Sequence, residues 1–305
     1  MRLRIDLAYD GSDFHGWARQ PGMTTVQGSI EDALTRVLRI GDGEPRPRLV
    51  VAGRTDAGVH ASHQVCHVDV DPDVLGRCVG HIAADPPTAL LRRLDHLLPS
   101  SVRIRSVAPA PDGFDARFSA LARTYVYRLG DGVVDPRLRG FVLAVDGPVD
   151  VDAMNEACGF MVGLHDFGSF AIANPGGTTI RRVLAAGWSR VPVPDGTALA
   201  AGSQTDVGDP LPVPSVEAGL LRFTIIADAF ARNMVRSLVG ACLKVGRHDR
   251  TPEWMAGKIT VPLREGFTGP APAFGLTLES VSYPPDEELA ARARAIRARR
   301  TLRES

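Results

Sequence analysis

The chain has almost no lysine. Only Lys244 and Lys258 stand among its 35 basic residues, which leaves 33 arginines. An excess of one charge sign is also missing, because 35 acidic residues balance the basic ones. The protein is therefore no global polycation, and any surface for a polyanion has to be a local arginine patch. Guanidinium forks suit bidentate phosphate contacts and stacking on bases. The same bias also accompanies frequent Ala, Gly and Pro, so composition alone leaves both readings open. Cysteine is scarce too. Cys66, Cys78, Cys158 and Cys242 are too few in 305 residues for a disulfide framework, which fits a reducing compartment and a cytoplasmic location. Apolar runs are short, as at 141–145, and none approaches the roughly eighteen residues of a membrane span. The first residues alternate charged and apolar side chains, unlike a signal peptide. What remains, 44% hydrophobic and 23% charged, is ordinary globular composition and excludes disorder, collagen and coiled-coil rods.

A chain of this length suggests two domains. Residues 2–9 place Leu3, Ile5, Leu7 and Tyr9 on one face and Arg2, Arg4 and Asp6 on the other, the alternation of a half-buried strand. Val26, Ile30, Leu34 and Val37 then follow helical spacing until glycines at 41 and 43. Strands are expected at 48–52, 64–70 and 102–107, with a helix at 89–98 before the last of them. The second half repeats this order, with strands at 123–129, 180–190, 220–227 and 276–283. Its helices are marked by Val151, Met154 and Cys158, and by Met234, Leu238 and Val245. Two copies of strand-helix-strand-strand-helix-strand predict an α+β protein of two ferredoxin-like (βαββαβ) domains with mainly antiparallel sheets. The expected division is 1–110, 111–283 and a C-terminal tail, 284–305. Residues 191–216 carry five prolines and read as an insertion in the second domain. The tail reads as a helix over 286–300, acidic at its start and arginine-rich at its end, as the helix dipole prefers.

The densest polar constellation is Gly53-Arg54-Thr55-Asp56-Ala57-Gly58-Val59-His60, in a loop between two expected strands. Bracketing glycines allow a carboxylate and a guanidinium to be offered to a substrate at close backbone approach. A tight turn whose Asp binds its own backbone would use the same residues. His60, His63, Cys66 and His67 invite a metal reading, but a strand would send Cys66 and His67 to opposite faces. No G-x-S-x-G, H-E-x-x-H, Walker or dinucleotide-binding loop occurs, so no metal and no cofactor are expected. Arg117, Arg123 and Arg128 surround Tyr125 and Tyr127, and Arg232 and Arg236 are spaced by a helical turn; both clusters suit nucleic acid or plain surface decoration.

The segment Ala52-Gly-Arg-Thr-Asp-Ala-Gly-Val-His60 resembles the TruA-type tRNA pseudouridine synthases. So do Tyr9-Asp-Gly11, Gly16-Trp17, Thr25-Val-Gln-Gly28, Phe114-Asp-Ala-Arg-Phe-Ser-Ala120 and Arg123-Thr-Tyr-Val-Tyr127. Gly163-Leu-His-Asp-Phe167, Asn233-Met-Val-Arg-Ser-Leu-Val-Gly240 and Ala271-Pro-Ala-Phe-Gly-Leu276 follow in the family's order, so the likeness covers about residues 1–283. Ala18 and Ala231 depart from it, standing where Gln and a larger apolar residue are common. The resemblance implies Asp56 as the catalytic aspartate and Arg54 as the arginine that pairs with it and displaces the target base. It implies Tyr125 beside the uracil, and Arg236 and Leu276 lining the pocket. It further implies a homodimer without cofactor or metal, one tRNA contacting both subunits, and uridines 38, 39 and 40 of the anticodon stem-loop as targets. A free aspartate is ionised at neutral pH without help, so the worth of Arg54 is expected to be positional. Attack on C1′, removal of the 2′ proton and addition to C6 are all open to Asp56 at this stage. The rivals are the same chemistry at another RNA position, a non-catalytic RNA-binding module, and a metal hydrolase built on His60, His63, Cys66 and His67.

Overall fold

A computed structural model describes residues 1–81, 83–172, 177–193, 216–263 and 269–296. In the first half, β1 (Arg2–Tyr9) leads to α1 (Val26–Val37), β2 (Val50–Val51), β3 (His60–Asp69), α2 (Pro72–Arg77), α3 (Pro86–Leu97) and β4 (Val102–Pro109). The alternation of β1 is realised in full: Leu3, Ile5, Leu7 and Tyr9 are buried while the residues between them are half-buried. Helix α1 starts where Thr25 accepts the Gly28 N–H, an N-cap that satisfies one orphan donor of the first turn.

The second half contains β5 (Ala122–Gly130), β6 (Leu143–Ala144), α4 (Val151–Gly159), β7 (Gly163–Asp166), β8 (Ile180–Arg190) and β9 (Leu221–Ala227). It continues with α5 (Met234–Gly246), α6 (Pro252–Thr260), β10 (Leu276–Ser282) and α7 (Leu289–Ile296). The fold is mixed α and β, with one mostly antiparallel sheet of ten strands in the order β4-β1-β3-β10-β5-β9-β8-β7. The short β2 pairs with β3, and β6 pairs with β5.

The first strand of each half lies between that half's last and next-to-last strands: β1 between β4 and β3, β5 between β10 and β9. Separate sheets were expected, yet β3 and β10 join the halves through the parallel pairs Thr277↔His60 and Leu278↔Ala61. The join leaves neither strand as a free edge with unpaired backbone groups. One continuous cluster of buried apolar residues runs through both halves, from Leu3 to Leu289.

Several boundaries differ from the sequence reading. The strand expected at 48–52 shrinks to Val50–Val51, while β3 begins at His60 rather than 64. His60, Ser62 and His63 carry no strand-like apolar pattern; backbone pairing with β10 and β1 draws them in. Arg232 is not helical, because α5 starts at Met234 and Asn233 before it takes a left-handed φ of 63°. The Arg232 carbonyl instead accepts the Ile172 N–H. In the tail, a 3-10 turn at Asp286–Glu288 precedes α7, and Arg297, Arg299 and Arg300 lie outside the described residues, as does 194–215 of the proline-rich segment.

Candidate active site

The loop between β2 and β3 is tied down on several sides. Trp17 N–H donates to the Thr55 carbonyl at 3.1 Å, and Gly58 N–H to the Phe14 carbonyl at 3.3 Å. Within the loop, Val59 N–H donates to the Asp56 carbonyl at 3.2 Å. Beneath it, the buried Thr55 hydroxyl is hydrogen bonded to the Tyr9 hydroxyl at 2.8 Å. The Gln64 amide donates both to Tyr9, at 3.3 Å, and to the Gly53 carbonyl, at 2.8 Å. Burial is the largest influence on Tyr9 and pushes its hydroxyl up to about 12, against the bonds from Thr55 and Gln64. It therefore stays protonated, a neutral bridge rather than a charge.

This scaffold leaves Asp56 at the surface of a fixed loop, its side chain 32% exposed. Arg236 faces it, with Nη1 3.8 Å from Oδ2, an electrostatic contact too long for a hydrogen bond. The Arg236 Nε–H donates to the Ala271 carbonyl at 2.7 Å, and its own carbonyl accepts the Ala271 N–H at 2.9 Å. A cation in the first turn of α5 works against the helix dipole, and a carboxylate opposite offsets that cost. Tyr125 is buried, and its ring meets that of half-buried Phe230 edge-on, centroids 5.0 Å apart. Burial first, and then the negative charge of Asp56, raise the Tyr125 hydroxyl well above its ordinary value.

Asp56, Arg236 and Tyr125 are thus brought together from a loop, a helix and a strand. Leu276 opens β10 opposite Tyr127, two register steps from the Leu278–Tyr125 pair, and is buried. Arg54 is exposed, and the cation paired with Asp56 is Arg236 instead. Two of the arginines read as candidate RNA contacts have structural partners. Arg128 is held by Glu217 at 2.8 Å and Glu279 at 2.9 Å. Arg123 is buried and binds three backbone carbonyls.

The candidate metal residues serve other ends. His60 Nδ1 lies 3.0 Å from the Gly11 nitrogen and 3.1 Å from Asp10 Oδ1, and its Nε2 faces the Gly140 and Phe274 carbonyls. His67 Nδ1 accepts the Ala116 N–H, and burial, assisted by Arg2, lowers its basicity. Cys66 is buried. Phe230 and Gln64 escaped the sequence reading, and the hydrogen bonds that link Tyr9, Thr55 and Gln64 left no mark in the motifs that hold Tyr9 and Thr55.

A carboxylate beside a guanidinium and a buried tyrosine suits isomerisation of a bound base. Residues 7–119 and 157–284 match the tRNA pseudouridine synthase family. The chain belongs to that family, and it is an isomerase that forms pseudouridine from uridine in tRNA. Its relatives carry a more particular name. The tRNA pseudouridine synthase A of Bifidobacterium animalis subsp. lactis is 59% identical over 303 residues, 99% of either chain. That of Bifidobacterium longum is 59% identical over 309 residues, again 99% of either chain. The protein of that name from Frankia casuarinae is 46% identical over 300 residues, 98% of this chain and 95% of its own.

Proposed function

We propose that the chain acts on uridines 38, 39 and 40 of the tRNA anticodon stem-loop, with Asp56 as the catalytic group. The observation that carries this reading is the Asp56 carboxylate itself, half-exposed on an immobilised loop, 3.8 Å from Arg236 and close to Tyr125. Isomerisation breaks the N1–C1′ bond, turns the uracil and joins C5 to C1′, while C5 loses a proton and N1 gains one. The net change needs no oxidant, reductant or water. It needs a carboxylate, a pocket that keeps the detached base, and a means of unstacking it.

Extruding a base from a stem costs a few kcal/mol, and stacking on an aromatic side chain returns about 1–3 kcal/mol. Tyr125, fixed edgewise by Phe230, is the platform in this reading. Its raised hydroxyl pKa keeps it protonated, which favours stacking over proton abstraction. Arg54, which is exposed, fills the space the base leaves. Arg236 orients the carboxylate, and Leu276 supplies an apolar wall.

Each half is read as a ferredoxin-like domain, 1–110 and 111–283, on the repeated strand arrangement. The likeness to the family further supports a homodimer with one tRNA spanning both subunits, acting in the cytoplasm. No helix among the described residues is long and apolar enough to cross a membrane. Scattering at micromolar concentration should return twice the 32.6 kDa chain mass; a monomer would overturn the dimer.

Unmodified tRNA transcripts bearing a single stem-loop uridine at 38, 39 or 40 test the target. Chemical derivatisation after incubation should find pseudouridine at each of the three. Pseudouridine formed only elsewhere would move the same chemistry to another position. Tight binding with no pseudouridine anywhere would favour an RNA-binding module.

A further inference from the structure

We infer that Arg123 is a positioning residue for the reaction: a buried guanidinium that ties together the segments carrying Asp56, Tyr125 and Arg236. This rests on the reading of Asp56 as the catalytic group. Arg123 lies on β5 two residues before Tyr125, so both side chains leave the same face of the strand. It is 7% exposed. Its donors go to main chain. Nη2 donates to the Ala52 carbonyl at 2.5 Å and to the Arg117 carbonyl at 2.8 Å, and Nη1 donates to the Asp228 carbonyl at 2.6 Å.

Those three carbonyls belong to three different segments. Ala52 is the residue from which the Asp56 loop departs. Arg117 lies in the 114–120 motif between the halves. Asp228 directly follows β9, at the start of the link to α5 and Arg236. The Gly53 Cα sits close enough that a Cβ built there would lie 3.9 Å from Arg123 Nε, ordinary contact distance. One side chain on the strand of Tyr125 therefore sets where the loop of Asp56 and the approach to Arg236 stand relative to that tyrosine.

A desolvated cation is costly unless its donors are satisfied, and a surface arginine would serve RNA at no such cost. The fork geometry explains why the residue is arginine. Two separate nitrogens address carbonyls on different sides, whereas a lysine has one ammonium and a single point of donation. A lysine retains charge and bulk but cannot hold both sides at once, so the loop and the α5 approach are free to shift. A displacement of about 1 Å between reacting groups costs on the order of a hundredfold in rate. Substrate affinity, supplied by exposed surface, should change little.

The test compares wild type with Arg123→Lys, Arg123→Ala and, as a control, Asp56→Asn, on one unmodified tRNA transcript. Arg123→Lys is expected to lower kcat by about tenfold or more with KM within about twofold, and to unfold cooperatively. Millimolar guanidinium should restore part of the Arg123→Ala kcat while leaving wild type unchanged, a response that simple loss of stability does not give. A lysine variant with wild-type kcat would overturn the proposal, as would equal loss of kcat and tRNA affinity. If neither variant folds, Arg123 is a folding determinant and the proposal fails. Activity surviving in Asp56→Asn would instead defeat the reading of Asp56. An inactive Asp56→Asn beside an unaffected Arg123→Lys would defeat only the positioning role.

Discussion

Tyr9 shows how much of this site depends on single uncharged contacts. Its hydroxyl lies between Thr55 and Gln64 in the interior, so Tyr9→Phe leaves the Thr55 hydroxyl buried without that partner. The expected cost is about 1–3 kcal/mol, measurable as a lower urea midpoint with an unchanged slope. Activity should fall as well, because Thr55 is covalently next to Asp56. Arg236→Ala removes the cation facing Asp56 and should cost up to about a hundredfold in kcat, with tRNA binding far less affected in a filter assay. At this scale the local pattern, a carboxylate between glycines and flanked by strands, suited a tight turn as well as a site, and it was the likeness to the family that singled out Asp56. Its cation was not legible. Arg54 is two residues away in sequence and exposed, while Arg236 arrives on a helix 180 positions later. Arg123 was misread for a related reason: an arginine between aromatics looks the same whether it meets RNA or three carbonyls of its own chain.

Among the elements, the loop before α1 does more than connect. Gly16 has a φ of +88°, and a Cβ there would come within 2.9 Å of the Thr55 carbonyl and 3.2 Å of the Ala57 nitrogen. Gly16→Ala therefore combines an unfavourable backbone conformation with a push against the Asp56 loop. A loss of about 1–3 kcal/mol in stability is expected, with kcat falling further than the folded fraction does. A variant as active per folded molecule as wild type would separate this glycine from catalysis. Strands with clean alternation, β1 and β9, and helices with a long apolar stripe, α1 and α5, were readable to within a residue or so. The four-residue β7 and six-residue α2 are too short for any periodicity to emerge. β3 was truncated in the reading because pairing with β10, more than two hundred residues away, recruits polar residues that no local pattern marks.

For the whole molecule, most elements were visible in sequence, but β6, β7 and the merging of both halves into one sheet were not, because short strands and pairing across a long sequence separation leave no periodic trace. The continuous sheet and core predict a single cooperative unfolding transition. Trp17 and Trp188 report on different halves, and both are buried. Trp17→Phe and the double variant Trp188→Phe/Trp254→Phe should show coincident fluorescence midpoints once corrected for their own stability; separated transitions would argue for independent halves. Acid should weaken the fold in a defined direction. Hydrogen bonds from Arg2 hold Asp69 below the ordinary carboxylate value, and those from Arg190 do the same for Asp131. Glu217 is lowered by Arg128 and Arg222 against an opposing effect of burial. Carboxyls lowered on folding add stability that is present at neutral pH and is lost as pH falls through about 4 and below. The urea midpoint should therefore drop between pH 7 and pH 3.

The most direct test of the central assignment is pseudouridine formation on unmodified tRNA by wild type and by Asp56→Ala, with tRNA binding measured on the same preparations. Wild type should convert uridine in the anticodon stem-loop, while Asp56→Ala should bind the tRNA with similar affinity and form no pseudouridine. Pseudouridine made by Asp56→Ala at a rate near wild type would contradict the assignment of Asp56 as the catalytic group.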